Sequence, residues 1–219
     1  MTRLPDPVTL IVVMGAVAMI PFVVIAVTSY VKLIVVLGLV RNALGLQNIP
    51  PNMALNAIAI LLSVYIMQPV AKRVYEALQD KPLAYQSFRD LGQTIVVAAE
   101  PIREFLIKKT TQEERLDFVN STRQLWSKDD SAIVTDTDFL ILVPAFMTSE
   151  LEDAFKIGFL LFLPFIVIDL IISNILLAMG MMMVSPMPIS LPFKLFLFVS
   201  VNGWQRLIHG LALSYVGPA

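Results

Sequence analysis

The chain has 219 residues, 57% of them hydrophobic and only 15% charged, with a mean hydropathy of +0.77. So few polar side chains cannot cover a soluble surface of this size, and lipid or a large protein interface must take the excess. A formal net charge of −1 without a basic, aromatic-interleaved cluster argues against nucleic acid, and the absence of cysteine removes disulfides, thiolate nucleophiles and cysteine-based metal sites.

Charge is unevenly placed. Between Lys72 and Lys156 lie 11 Lys/Arg and 15 Asp/Glu, which is 26 of the 33 charged residues, so the two flanks are nearly uncharged. The start, with Arg3, an apolar run and Ala16-Val17-Ala18, has the outline of a signal peptide. Asp6 spoils its positive end and the apolar run continues past the triplet, so no cleavage is expected.

The first apolar stretch, Val8 to Val40, is 33 residues and would reach roughly 50 Å as one helix, beyond a bilayer core of about 30 Å. Either it bends, with Pro21 as the expected point, or one end leaves the membrane. The second, Ala54 to Ala71, has 18 residues, an ordinary span. The short polar connector Arg41 to Asn52, with Pro50-Pro51, predicts an antiparallel hairpin of the two. Arg41 weakly favours that connector being cytoplasmic, which would put the amino terminus and residues 72 to 148 on the periplasmic side.

Residues 72 to 148 read as a charged, mostly helical extramembrane insert, with the capping box Thr111-Gln112-Glu113-Glu114 as a helix start. Its acidic pairs, Glu113-Glu114 and Asp129-Asp130, are expected to be solvated surface. A second capping box, Ser149-Glu150-Leu151-Glu152, is expected to open the third apolar segment, Ile157 to Met183. The turn Val184 to Pro192 follows. A fourth segment, Phe193 to Val216, carries Lys194, Arg206 and His209, and its longest stretch free of ionisable groups is 11 residues, too short to span alone. The fold expected is therefore an all-α membrane protein of about four kinked apolar segments. They form two hairpins, residues 1–71 and 149–219, on either side of the insert at 72–148.

Two constellations invite a functional reading. Met179, Met181, Met182, Met183 and Met187 put five of the eleven methionines within nine residues, beside Gly180 and Pro186. Such unbranched, adaptable side chains could close a pore when several copies meet, or could be ordinary lipid-facing or core methionines at a helix end; residue types alone favour the second. The ionisable residues in apolar surroundings are Lys32, Glu150, Asp169, Lys194 and Arg206. Each must face protein or water, so structural pairing, within the chain or between copies, is weighed against an ion relay. His209 stands alone and makes no metal site. No nucleophile elbow or glycine-rich phosphate loop occurs. Nothing calls for a cofactor, and an enzyme is not expected.

The motifs then align with a known family. Thr28-Ser29-Tyr30, the run Leu39 to Gly45 (LVRNALG), Pro50-Pro51-Asn52 and Met67-Gln68-Pro69-Val70 follow one another as in the FliP/SctR proteins. So do Ser149-Glu150-Leu151, the runs 154–159 and 164–170, Ala178-Met179-Gly180-Met181-Met182-Met183, and Leu191-Pro192-Phe193-Lys194. The resemblance covers about residues 20–80 and 140–215 and leaves out the charged insert. It implies a core export-apparatus protein of the type III secretion system in the bacterial inner membrane, of the virulence rather than the flagellar kind. The implied assembly is a ring of typically five copies, with the smaller FliQ-like and FliR-like proteins and the FlhB-like and FlhA-like components, passing unfolded substrates. It further implies a constriction lined by Met181, Met182 and Met183, reversing the weight on the methionines, and an intersubunit salt bridge between Glu150 and Lys194. Asn202-Gly203-Trp204 departs from the family's more frequent Asp-Gly-Trp, so an ionised carboxylate at 202 is not expected here. The competing readings are a small secondary transporter with an Asp169–Arg206 site, for which inverted repeats would be expected and none is found, and a scaffold around a pore made by others.

Overall fold

The computed structural model describes residues 7–79, 88–127 and 133–216, and the regular structure among them is entirely helical. In chain order the helices are α1 (Pro7–Val27), α2 (Tyr30–Ala43), α3 (Asn52–Gln79), α4 (Phe88–Lys109), α5 (Gln112–Leu125), α6 (Phe139–Ala178), α7 (Met187–Ser200) and α8 (Gly203–Leu213). Arg3, Asp6 and Asp129-Asp130 lie outside the described residues. Two helices, α3 and α6, are long and apolar enough to cross a membrane, and α1 with α2 makes a third, bent candidate.

The bend of that first segment is real but misplaced by the sequence reading. Helix α1 runs straight through Pro21, and the chain turns by 64° at Thr28-Ser29 instead. A proline interior to an apolar helix removes one amide donor, whereas adjacent hydroxyls offer the backbone competing bonds. Here Thr28 Oγ1 accepts from the Tyr30 amide at 3.4 Å, and Ser29 Oγ donates to Ser63 Oγ of α3 at 3.2 Å.

Beyond the bend α2 becomes the central element. Its side chains at Leu33, Val36, Leu37 and Val40 fall on one helical face and are at most 1% exposed, packed with Leu55 and Ala59 of α3 and Ala154 and Phe165 of α6. Against α3 it runs antiparallel, with Ser29 on Ser63 at one end and Arg41 Nη1 donating to Asn52 Oδ1 at 2.6 Å at the other. Against α6 it runs parallel: Lys32 reaches Glu150, and Leu39 packs on Gly158, where an added Cβ would meet Leu39 Cδ1 at 2.3 Å.

Helix α6 contains 40 residues, roughly 60 Å, about twice a bilayer core. It passes without interruption through Ser149-Glu150-Leu151-Glu152, which is therefore not a helix start. A capping box needs amides with no partner of their own, and inside α6 the helical ladder already occupies them. The boundary expected at 148/149 thus falls within a helix. The box at Thr111, by contrast, is present in full: Thr111 Oγ1 accepts from the Glu114 amide at 3.3 Å and a Glu114 carboxylate oxygen accepts from the Thr111 amide at 3.0 Å.

A second core ties the insert to the long helices through Val70, Phe105, Leu106, Leu142, Phe146 and Tyr215, with the Phe105 and Phe146 rings edge to face at 5.7 Å. Arg73 of α3 bonds Glu104 of α4 at 2.7 Å above it. At the carboxyl end the segment Phe193 to Val216 is two short helices, α7 folding back along α6 and α8 turning off it. The break is at Asn202, which holds a left-handed conformation (φ 53°) that asparagine tolerates better than most residues. Gly203 is required beside it, because a Cβ there would lie 2.4 Å from the Phe198 ring, which is itself held edge-on by Trp204 at 5.3 Å.

Replacing Gly203 with alanine should destabilise the detergent-solubilised protein by about 1–3 kcal/mol through this overpacking. At Gly210, where nothing lies within 4 Å, alanine should be neutral or stabilising by up to about 1 kcal/mol. Thermal unfolding of the two variants checks the contrast.

Candidate functional site

The methionine run lies in the turn that joins α6 to α7. Helix α6 ends with Gly180 left-handed (φ 74°), its amide donating to the Leu177 carbonyl at 3.0 Å and the Met181 amide to that of Leu176 at 2.9 Å. This pair of bonds is the glycine-terminated C-cap in which a left-handed residue lets two late amides satisfy otherwise orphaned carbonyls. The cap turns the chain out of the helix before Met181, so the third apolar segment ends at Ala178 rather than Met183. The connecting turn is residues 179–186, not 184–192. Pro188 and Pro192 belong to α7: Pro188 sits in its first turn, where a missing amide is tolerated, and Pro192 lies inside the helix.

The methionines are consequently not core side chains of this chain. Met179 is 65% exposed, Met182 79% and Met183 fully exposed, with Met181 the most covered at 39%. Bare apolar side chains gathered in one turn make the kind of patch that meets lipid, another chain or a lumen.

Two buried ion-paired clusters hold the helices that carry this turn. In the first, Lys32 of α2 is 3% exposed, and its ammonium lies 3.0 Å from Glu150 Oε1 and 3.2 Å from Asp153 Oδ2, both on α6. Glu150 is 1% exposed and accepts a further hydrogen bond from the Tyr215 hydroxyl. The Tyr215 ring lies 4.3 Å from the Lys32 ammonium and 5.6 Å from that of Lys109 at the end of α4. Burial and the Glu150 carboxylate push the Tyr215 phenol above its ordinary value, so it stays a donor. Burial, followed by the Lys32 charge, lowers Lys109. Three helices and the carboxyl-terminal turn converge here with two positive and two negative charges.

In the second cluster Lys194 of α7, 5% exposed, bonds Asp169 Oδ2 of α6 at 2.6 Å and the Ala43 carbonyl at 3.3 Å. That carbonyl belongs to the last turn of α2, where a cation also complements the helix dipole. Ser190 Oγ donates to the other Asp169 oxygen at 2.7 Å.

Of the residues singled out in the sequence, Lys32 joins Glu150 and Lys194 joins Asp169, so within one chain Glu150 and Lys194 each have another partner. Arg206 is brought to neither cluster; it is exposed on α8, and Asp169, its expected companion in a solute site, is on Lys194 instead. No group of three or more metal-binding side chains occurs among the described residues. Sequence reasoning missed Tyr215, Ser190, Lys109 and Asp153. The usable hint was Lys32, a cation whose own apolar segment offers no counter-charge and which therefore needed a partner from far along the chain.

Comparisons with known proteins give the chain a family. The FliP family model matches residues 13–211, running through the charged insert that the motif resemblance had left out. The chain is 50% identical to the probable translocation protein y4yL of Sinorhizobium fredii over 98% of its own length and 96% of that protein's. It is 50% identical to the Yop proteins translocation protein R of Yersinia pestis over 99% and 100%, and 43% to the virulence protein YscR of Salmonella typhimurium over 97% and 99%.

Burial decides how the first cluster responds to substitution. Glu150→Gln leaves a buried ammonium with only half-exposed Asp153 and should cost about 3–5 kcal/mol. Tyr215→Phe removes one bond to a charged group, about 1.5–3 kcal/mol, and Asp153→Asn about 0–1 kcal/mol. Chemical denaturation of the three variants should give that order.

Proposed function

The chain belongs to the FliP family, and on that premise we propose that it is a pore-forming core subunit of a virulence-type export gate. It would pass unfolded proteins across the bacterial inner membrane through a constriction lined by Met179, Met181, Met182 and Met183. The observation that carries the reading is the capped turn after Gly180, which presents Met182 and Met183 bare at the end of a helix otherwise anchored by buried ion pairs. Several copies meeting at these turns would place flexible thioether side chains around an axis, where they could exclude ions when closed and yield to a polypeptide. No bond is made or broken by the gate itself; the driving energy comes from elsewhere in the apparatus.

The assembly proposed is a ring, typically of five copies, with FliQ-like and FliR-like proteins and with FlhB-like and FlhA-like components nearby. The outward apolar faces support it: Phe193, Phe196 and Val199 recur along one side of α7 at 55–76% exposure, and Phe155, Phe159 and Leu160 stand out from α6 at 58–65%. A Glu150–Lys194 bridge between copies would require both residues to exchange their partners within the chain as the ring forms.

Substituting Met181, Met182 and Met183 together by alanine should make reconstituted closed complexes leak small ions, read as flux of a dye-reported cation; complexes as ion-tight as the parent would remove the constriction. For the bridge, Glu150→Lys should weaken the ring, and the location of the rescue is diagnostic. Recovery by Lys194→Glu supports exchange between copies, whereas recovery only by Lys32→Glu assigns Glu150 to its own chain.

A further inference from the structure

The carboxyl-terminal helices leave a hollow of about 370 Å³ against α2 and α6 that neither ion-paired cluster reaches. Val40, Leu161, Phe165, Leu197 and Leu207 form its walls, and Arg206 is the one charged residue lining it. A space of this size, apolar throughout but for a single cation, has the composition of a site for a small amphiphile.

Arg206 is the exception among the cations of the apolar segments. Lys32 and Lys194 are both buried and paired, yet among the described residues Arg206 has no side-chain hydrogen bond or ion pair. Its guanidinium is a planar fork of donors suited to phosphate, and an ionisable group in such surroundings is expected to find a partner. Asn202 provides no side-chain cap to α8, so the first amides of that helix add positive character at Gly203, which also lines the hollow.

We propose that this hollow binds one acyl chain of an anionic phospholipid, with the lipid phosphate on Arg206. Charge complementarity selects the headgroup, and the apolar walls select the tail. Val201, which lines the hollow, is itself 42% exposed, so the hollow opens to the outside of the chain. The inference rests on the membrane character of the chain and not on the methionine constriction.

The test uses the full-length chain in detergent, titrated separately with phosphatidylglycerol, phosphatidylcholine and inorganic phosphate, and reads retained lipid by native mass spectrometry together with the shift in Tm. Phosphatidylglycerol should be retained about tenfold better than phosphatidylcholine, whose phosphate is already offset by its own choline cation and so gains less from the charge pair with Arg206. Arg206→Gln should abolish that preference while Arg206→Lys keeps part of it. Val201→Trp, filling the hollow from a lining position that is 42% exposed, should reduce retention of both lipids. The proposal is overturned by equal retention of the two lipids, by a preference that survives Arg206→Gln, or by inorganic phosphate stabilising as well as phosphatidylglycerol. Efficient cross-linking of Val201→Cys to a second copy in the lipid-free preparation would likewise overturn it, by giving the hollow to a neighbouring chain. The triple methionine variant should keep the lipid preference, so failure of one reading leaves the other standing.

Discussion

A buried ammonium group must be neutralised, and this chain buries one at each end of α2. Lys32, near the start of the helix, is held by Glu150 and Asp153 of α6; at its finish, the Ala43 carbonyl accepts from Lys194, which is itself on Asp169 of α6. The hydrophobic face between them, Leu33 to Val40, supplies the attraction, and it is indifferent to register. The ion pairs are not: sliding α2 by one turn along α6 would leave charges unpaired in a medium that penalises them by several kcal/mol each. The parallel alignment of the bent first segment with the longest helix follows from that restriction.

The same economy explains how the exposed turn can be both open and fixed in place. Residues 179–186 have little packing of their own, but the helices on either side of them are locked by Asp169 with Lys194 and Ser190. The lock sits ten residues before the cap at Met179, and on the other side Ser190 follows Pro186 by a single helical turn. A segment held so firmly at its roots can present side chains without ordering them, which suits methionine, a residue whose use lies in its many accessible rotamers.

How much of this could be read from the residues depends on the range of the interaction concerned. Membrane class, helical content, the capping box at Thr111 and the family were all legible, since each rests on composition or on residues close together in the chain. The placement of breaks was not. Pro21 and Ser149 carry the local signals of a bend and a helix start, yet the helices run on through both, while Thr28-Ser29, with a weaker signal, turns because Ser63 of α3 is there to bond it. The five ionisable residues were legible as a set, but their partners were not, because Lys32 and Glu150 are 118 positions apart and nothing local pairs them. Tyr215 had no signal at all: a lone aromatic near the end of an apolar segment acquires its role only from the Glu150 carboxylate it meets. Asn202 was noted as a missing carboxylate, and the structure gives the position a conformational task that asparagine performs without charge.

Helix α6 finally sets a scale for the molecule. From Glu150 to Met179 is 29 residues of unbroken helix, roughly 44 Å along its axis. A hydrocarbon layer of about 30 Å cannot enclose both ends of that rod unless it leans by more than about 45°, outside the usual range of 0–40° for spanning helices. The tyrosine-sealed cluster and the methionine turn therefore experience different surroundings, and an upright chain keeps at most one of them at membrane depth.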